Sequence, residues 1–274
     1  MTLWYAASRV TVGGVGTTAR QARVRTGLSL VVLLQFVAGV IAVFTVSGPP
    51  AAAVAPPPPV ITAPEPVPAP APEPVPGETD AADAVVPKVN LFKEPGAASI
   101  GFLTNPTFEN VPLILHVLQD KGEWLHVRVN TRPNGRTAWV RRSDVAIRRV
   151  PNRIVIEVGA RKLTVLHGND VLAQHPVAVG APRTPTPIGD FYVDATVHLA
   201  NAGGQYGVGQ LSVSGFSEVL KSFAGGIGQI AIHGTGSPGS VGKAVSNGCI
   251  RMHNNAWRQV AALAPDGTPV SIRP

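Results

Sequence analysis

The sequence predicts a mainly β protein with two small folded domains behind an apolar N-terminal segment and a proline-rich spacer. Short runs of alternating apolar and polar residues, typical of half-buried strands, recur from about residue 85 to the C-terminus. Helical periodicity is confined to two short stretches of this region. With 274 residues, 45% of them hydrophobic, the chain has enough apolar material to bury a sizeable core.

A basic tail and an apolar run open the chain. Residues 1–26 carry four arginines and no acidic residue, and residues 27–46 have about the length that crosses a bilayer as a helix. Because positive residues are retained in the cytoplasm, we expect 27–46 to be a single-pass membrane anchor with every later residue outside. A cleaved signal peptide is the alternative, since three alanines offer A-x-A-like cleavage sites: Ala51, Ala53 and Ala55. The length of the apolar run favours the anchor.

Residues 47–82 are predicted to be a Pro/Ala-rich linker. Proline, alanine and valine dominate residues 49–77, a composition that cannot form a packed core and favours polyproline II. At about 3.1 Å per residue this stretch would extend on the order of 90 Å. It would therefore hold the following domains well away from a membrane.

The pattern of residues 83–149 predicts a small antiparallel β module. Strands are expected at 113–118, 124–129 and 137–140, and Asn134-Gly135 is a hairpin-turn signal between the last two. The module resembles a bacterial SH3-like domain, above all in the segments GEWLHVRV and RPNGRTAWVRRSDV. This resemblance implies a small β-barrel. Trp124 and Trp139 could belong to its core or stack on a ligand, and the sequence leaves both open.

Residues 152–274 form the second predicted domain. A β meander is expected at its start, at 154–158, 162–166 and 171–179. The two helical stretches are 217–223 and 255–264. Asn254 could cap the second, Pro265 would end it, and one face would carry Trp257, Val260 and Ala261.

The chain contains one cysteine, Cys249, which therefore cannot form an internal disulfide. Such a thiol is an inert core residue, an intermolecular link or a reactive group. If the segment SNGCIRM at 246–252 is extended, Asn247, Cys249 and Arg251 share one face, while Ile250 and Met252 point into the core. The polar face would then line an open site.

His233 ends a short apolar strand, IAIH, and precedes a glycine-rich loop that returns to Cys249. A histidine at a strand end is more often structural than catalytic. Beside a cysteine it becomes a candidate base, because a thiol with a pKa of about 8.5 is mostly protonated at neutral pH. Gly248 permits unusual dihedrals just before the thiol, which suits backbone N–H groups aimed at an oxyanion.

These elements together resemble the signature of the YkuD-type L,D-transpeptidase catalytic domain. The matching segments are TPTPIGDF at 184–191, HGT at 233–235 and SNGCIRM at 246–252, and the resemblance covers about residues 152–273. It implies a β-sandwich with Cys249 as nucleophile, His233 as base and Gly234 as the neighbour whose carbonyl orients the histidine. It also implies oxyanion and pocket residues: Ser246, Asn247, Gly248, Arg251 and the N–H of Cys249. Many members have histidine where this chain has Asn247, which cannot titrate.

The resemblance implies a cysteine acyltransferase of peptidoglycan. Cys249 would attack a tetrapeptide stem after its third residue, release D-alanine and form a thioester, which the amine of a neighbouring stem would convert to a 3→3 cross-link. No cofactor or metal is implied, and the sequence has neither a CxxC pair nor an HExxH motif.

The net charge of +7 gives a further hint about partners. The charges of the tail and the linker cancel, so the excess falls on residues 81–274, and much of it lies between Arg128 and Arg153. Neither a glycine-rich aromatic RNA signature nor a long basic helix accompanies it, so we expect no nucleic-acid partner. An anionic cell wall suits this charge better. The expected partners are therefore this wall and the donor and acceptor stems of peptidoglycan.

Three other functions compete with transpeptidation. A sortase-like enzyme would combine similar parts but needs a TLxTC-like motif, which is absent. A non-catalytic wall-binding protein would act through the SH3-like module. An L,D-carboxypeptidase would pass the same acyl-enzyme to water, and the sequence does not separate it from a transpeptidase, since acceptor access decides between them.

Overall fold

The computed structural model describes residues 78–223 and 225–274. The predicted basic tail, the apolar segment 27–46 and most of the predicted linker lie outside these residues. Among the described residues, no helix is long and apolar enough to cross a membrane.

The first seven strands form one antiparallel sheet in the order β3-β2-β6-β5-β4-β1-β7. Its core consists of fully buried aliphatic side chains such as Leu115, Leu125 and Val140. The strands are β1 (Thr79–Ala84), β2 (Lys88–Phe92), β3 (Ser99–Thr104), β4 (Ile114–Lys121), β5 (Trp124–Arg128), β6 (Thr137–Arg141) and β7 (Val145–Val150). Strand β1 thus includes residues that the sequence assigned to the linker.

The predicted antiparallel character of this module is confirmed. Strands β4, β5 and β6 match the expected strands to within a few residues, and the Asn134-Gly135 turn joins β5 to β6 with Leu125 opposite Val140. Gly135 has φ of 78°, which suits a glycine in a tight turn. The SH3-like identity stays a prediction.

The two tryptophans of the module pack against its own side chains. Trp139 is buried and stacks on His126 with ring centroids 4.9 Å apart. Trp124 is half-buried and meets the ring of Phe92 edge-on at 5.0 Å. This packing favours the core interpretation of both residues over a ligand-stacking role.

The second domain is a β-sandwich of ten strands with one α-helix. Eight strands are ordered β10-β9-β8-β17-β12-β13-β14-β16, and β11 pairs with β15. The strands are β8 (Asn152–Glu157), β9 (Lys162–His167), β10 (Asp170–Pro176), β11 (Val179–Gly180), β12 (Gly189–His198), β13 (Gly209–Phe216), β14 (Gln229–His233), β15 (Ala244–Ser246), β16 (Ile250–Arg251) and β17 (Pro269–Arg273). The first part of β12 pairs with β17 and its second part with β13, so one strand serves both layers.

Helix α1 (Asn254–Leu263) packs its apolar face on this sheet, as the sequence predicted. Trp257 and Val260 are fully buried, and the indole N–H of Trp257 donates to the carbonyl of Ile232 at 3.1 Å. The predicted cap was wrong, because His253 occupies the N-cap position and Asn254 lies inside the first turn. The amide of Asn254 instead bonds to main-chain groups of two neighbouring loops.

The helix expected at 217–223 was also wrong, because this stretch is a series of bends. The guanidinium of Arg132, from the first domain, donates to the carbonyls of Ser217 at 3.0 Å and Leu220 at 3.2 Å. In a helix over 217–223 the carbonyl of Ser217 would instead accept the N–H of Lys221. The tertiary contact therefore takes the place of local helical hydrogen bonding.

Candidate active site

Two parallel strands, β14 and β16, bring the candidate residues together. Ile232 pairs with Ile250, and His233 pairs with Arg251. Since neighbouring side chains of a strand alternate between faces, Ile232 and Ile250 enter the core, where both are fully buried. The same register places His233 and Arg251 on the opposite face. Cys249 directly precedes Ile250, the first residue of β16. The pairing thus brings the segment of the predicted nucleophile next to the strand that ends at the predicted base.

His233 is nearly fully buried, and its Nδ1 lies 2.6 Å from the carbonyl oxygen of Gly234. Because a carbonyl only accepts, Nδ1 carries the proton in this contact and Nε2 keeps its lone pair. Burial lowers the pKa of His233 to about 4; the bond to Gly234 opposes this change, and the charge of Arg251 adds to it. The imidazole is therefore neutral at pH 7 and able to accept a proton. The ring of Tyr206 covers it at 4.8 Å.

Cys249 is half-buried, and burial raises the pKa of its thiol. The main chain of Ala231 and the charge of Arg251 oppose that rise without cancelling it. The sequence predicted His233 as the base for this thiol. The structure gives a neutral thiol and a neutral imidazole, so proton transfer has to accompany attack by sulfur.

The turn before the thiol is held by Ser246. Its buried hydroxyl donates to the carbonyl of Cys249 at 2.5 Å and accepts the N–H of Gly248 at 3.1 Å. Gly248 has φ of 113°, a conformation that L side chains rarely adopt, which explains the glycine. Its N–H, predicted as an oxyanion donor, is engaged with Ser246. Asn247 is exposed and Arg251 half-buried.

The 184–191 segment supports this turn from the other side. The hydroxyl of Thr186 donates to the carbonyl of Gly248 at 2.9 Å and accepts the N–H of Gly180 at 2.9 Å. Thr184 donates to the carbonyl of Ser246 at 3.0 Å. The segment thus positions the cysteine turn through threonine hydroxyls.

Comparison with known proteins identifies relatives of the second domain. The profile of the L,D-transpeptidase catalytic domain, YkuD, matches residues 151–272. YkuD of Bacillus subtilis, a candidate L,D-transpeptidase, is 42% identical over 123 residues, which are 45% of this chain and 66% of that protein. Its namesake in Bacillus licheniformis is 39% identical over 125 residues, 46% of this chain and 67% of that protein. The chain belongs to the YkuD family of L,D-transpeptidases.

The aligned part of the chain spans about two thirds of the length of each Bacillus relative. A crystal structure of an Enterococcus faecium L,D-transpeptidase mutant is 21% identical, with a TM-score of 0.33, over 45% of this chain and 50% of that one. The match to the family profile contains every predicted site residue, whereas residues 79–150 fall outside it.

One positioning residue of the L,D-transpeptidase domain escaped the sequence analysis. The side-chain oxygen of Asn254 accepts the N–H groups of Val208 at 3.2 Å and Thr235 at 3.1 Å, and its NH₂ donates to the carbonyl of Ala202 at 3.0 Å. A Cβ on Gly234 would lie 2.3 Å from that oxygen. Asn254 therefore ties together the two loops that flank His233. The signal in the sequence was the position of Asn254 shortly after SNGCIRM, at 246–252. The sequence analysis assigned this asparagine to a helix cap instead.

Asn254→Ala should lower the free energy of unfolding of the L,D-transpeptidase domain by about 1–3 kcal/mol. The substitution leaves loop N–H groups without their acceptor, and a lost partner costs about that much when the group is buried. Denaturant unfolding measures the effect. Asn255→Ala is the matched control, because Asn255 is exposed and its side chain accepts from the exposed Arg258, so a change within about 0.5 kcal/mol is expected. Equal stabilities of the two variants would contradict the role of Asn254.

The other histidines near the motif lie apart from this pair. His175 contacts the amide of Gln259 at 3.0 Å, and His198 meets the ring of Trp257 edge-on at 5.4 Å. His253 is exposed at the start of α1. Within residues 78–223 and 225–274, no three histidine, cysteine, aspartate or glutamate side chains cluster in a way that could hold a metal ion.

Proposed function

We propose that the protein cross-links peptidoglycan by L,D-transpeptidation through a Cys249 thioester. One observation carries this proposal: β14, which ends at His233, pairs with β16, which directly follows Cys249, and the carbonyl of Gly234 holds the imidazole as a neutral base. Family membership supports the reaction class. The substrates are the tetrapeptide stems of peptidoglycan, as donor and acceptor.

The first half-reaction forms the acyl-enzyme. Nε2 of His233 takes the thiol proton as Sγ of Cys249 attacks the carbonyl carbon of the stem's third residue. The C–N bond to the terminal D-alanine then breaks, and His233 returns the proton to the departing amine. A thioester on Cys249 and free D-alanine result.

The second half-reaction transfers the acyl group to a neighbouring stem. A side-chain amine of that stem attacks the thioester carbonyl and loses a proton to Nε2 of His233. The C–S bond breaks, the sulfur regains that proton, and a 3→3 amide remains. No electrons are exchanged and no cofactor is required.

The residues around the thiol stabilise charge and position the stem. We assign the N–H of Cys249 to the developing oxyanion, with Gly248 as a second donor once its N–H turns from Ser246 toward substrate. The half-buried guanidinium of Arg251 lies near enough for its charge to act on the thiol, and there it can pair with a stem carboxylate. Asn247, exposed at the rim, contributes hydrogen bonds without titrating.

Product analysis tests the proposal. The full chain is incubated with a tetrapeptide donor, with and without an acceptor stem, and products are identified by mass spectrometry. A cross-linked dimer that needs both the acceptor and Cys249 is expected. Tripeptide as the main product despite acceptor would replace the proposal by an L,D-carboxypeptidase. If neither product forms, the result favours a non-catalytic wall-binding protein.

We also propose that residues 27–46 anchor the protein in the cell membrane, with the catalytic domain outside and near the anionic wall. The apolar length and the preceding arginines support this topology. The full-length protein should remain with membranes in high salt, and external protease should reach its C-terminal domain in cells with a permeable wall. A mature chain beginning near Val54 or Pro56 would show signal-peptide cleavage instead.

A further inference from the structure

The turn between β5 and β6 reaches from the first domain onto the second. Its residues 130–135, here called the hairpin tip, bond to the end of β13, to the loop that follows it and to a residue beside the start of β14. Strand β14 ends at His233, the proposed base. The hairpin tip lies outside residues 151–272, which match the family profile, so its contacts belong to this chain's own arrangement of two domains.

Arg132 holds the loop between β13 and β14 near both of its ends. Its Nη1 donates to the carbonyl of Ser217 at 3.0 Å, and its Nη2 donates to the carbonyls of Leu220 at 3.2 Å and Ile227 at 3.1 Å. The guanidinium carbon also lies 4.9 Å from the centre of the Phe216 ring. The planar guanidinium presents a rigid fork of donors, which suits several fixed acceptors at once. Arg132 therefore fixes the two ends of the loop relative to each other.

Gly228, the residue before β14, fits closely into this arrangement. A Cβ at this position would clash with the carbonyl oxygen of Leu220 and would lie 3.0 Å from Nη2 of Arg132. Its φ of 75° is also one that L side chains rarely adopt. The carbonyl of Gly228 accepts the N–H of Ser217 at 2.8 Å, which closes the loop. The chain thus enters β14 in contact with Arg132 and one of its acceptors.

Two asparagines of the hairpin tip add further contacts. Asn134 bonds twice to the main chain of Phe216, the last residue of β13: its side-chain oxygen accepts the N–H at 2.8 Å, and its NH₂ donates to the carbonyl at 2.7 Å. Asn130 donates to Oδ2 of Asp194, which also accepts from the side chain of Gln229 at 2.7 Å. Gln229 is the first residue of β14. The hairpin tip thus holds both the end of β13 and the beginning of β14.

Strand β14 carries these contacts to the active site within a few residues. A Cβ on Gly248 would lie 3.6 Å from Cγ2 of Ile230, so Ile230 packs beside the turn before the thiol. The main chain of the next residue, Ala231, forms a hydrogen bond with the thiol of Cys249. His233 follows two residues later. A shift at the start of β14 would therefore change the placement of both the thiol and the imidazole.

We propose that Arg132 and Asn134 are positioning residues for the transpeptidase site, which act by fixing the start of β14 and, through it, the thiol of Cys249 and the imidazole of His233. The first domain thereby completes the frame of the active site without contacting substrate. A displacement of about 1 Å at reacting groups can slow a reaction about 10²-fold, so a loosened strand has a measurable effect. This inference rests on the proposed function where acylation is its readout.

Carbapenem capture by the full chain measures the effect on rate. Arg132→Gln should lower the saturating rate constant of acylation about tenfold, while the carbapenem concentration that gives half of that rate changes less than about twofold. Arg136→Gln is the matched control, because Arg136 donates to Thr131 of its own domain at 3.4 Å, and it should react like wild type. A contact that only stabilises the fold would leave this rate unchanged. A wild-type rate constant in folded Arg132→Gln would therefore overturn the proposal.

Asn134→Asp provides a second variant that keeps the hairpin turn. Asp-Gly suits such a turn as well as Asn-Gly does. A carboxylate cannot donate to the carbonyl of Phe216, however, and it would stand beside the carboxylate of Glu218, to which Asn134 donates at 2.5 Å. The rate constant of acylation should fall about fivefold. If Arg132→Gln does not fold, an unchanged rate constant in Asn134→Asp refutes the proposal instead.

Amide hydrogen exchange separates this proposal from the proposed function. In native Arg132→Gln, the amides of Ile230, Ala231 and Ile232 should exchange about tenfold faster than in wild type or Arg136→Gln. A general loss of stability would also speed exchange in β8, where no change is expected. If wild type captures no carbapenem, the proposed function fails, and the exchange rates alone decide whether the hairpin tip positions β14. Unchanged exchange at the three β14 amides would contradict that role.

Discussion

Replacement of Cys249 by alanine is expected to abolish turnover and to remove all covalent capture of a carbapenem. The strained amide of such a β-lactam opens when a thiol attacks it, and a thioester to the sulfur remains. The chain has no other cysteine, so a thioester adduct can form only at this position. Intact-mass measurement of the native full chain should show one adduct, and peptide digestion should place it in the segment that contains Cys249.

The state of the thiol makes this experiment decisive. Cys249 is half-buried and its pKa is raised, so without the base at His233 it would resemble an inert core cysteine. Native adduct formation therefore reports the assembled pair and not merely an accessible thiol. An adduct that appears only after denaturation, or one that persists in Cys249→Ala, would contradict the nucleophile assignment.

The sequence predicted the β character of both domains and several of their strands, because those strands alternate clearly. Strands β5, β6, β8 and β9 lie within one or two residues of their predicted bounds. The failure at 217–223 has a tertiary cause, since Arg132 lies 85 residues from Ser217 and no local pattern reveals that contact. The same applies to Asn134, whose side-chain oxygen accepts the N–H of Phe216 at 2.8 Å in addition to its place in the hairpin turn.

The reacting residues of the site could be predicted because they lie in local motifs, whereas their protonation states could not. Burial of His233 and Cys249 depends on strands that are distant in the sequence, and that burial moves the two pKa values in opposite directions. Asn254 was misassigned for a related reason. An asparagine at the start of a helix is a good local cap, but here its amide is engaged by two loops.

Substitution of His233 by alanine is expected to slow acylation of Cys249 by roughly 10²- to 10⁴-fold, the usual effect of losing a general base. The thiol is protonated in the resting site, and His233 keeps a lone pair on Nε2 because its Nδ1 bonds to the carbonyl of Gly234, so His233 is the candidate base for that proton. The rate constant for carbapenem capture, followed by intact mass, measures the effect. His253→Ala is the matched control, because His253 is exposed and should leave the rate unchanged.

The pH dependence of the same rate constant separates a base from a structural histidine. Since a protonated imidazole cannot accept the thiol proton, acylation should persist above the pKa of His233 and be lost as the pH falls through it. Burial lowers that pKa from 6.5 to about 4, so the wild-type rate should stay high at pH 5.5, where an unperturbed histidine would already be mostly protonated. If the rate instead falls to half near pH 6.5 as the pH is lowered, His233 has its ordinary pKa and is accessible to water. A His233→Ala rate within twofold of wild type would assign the proton transfer to another group.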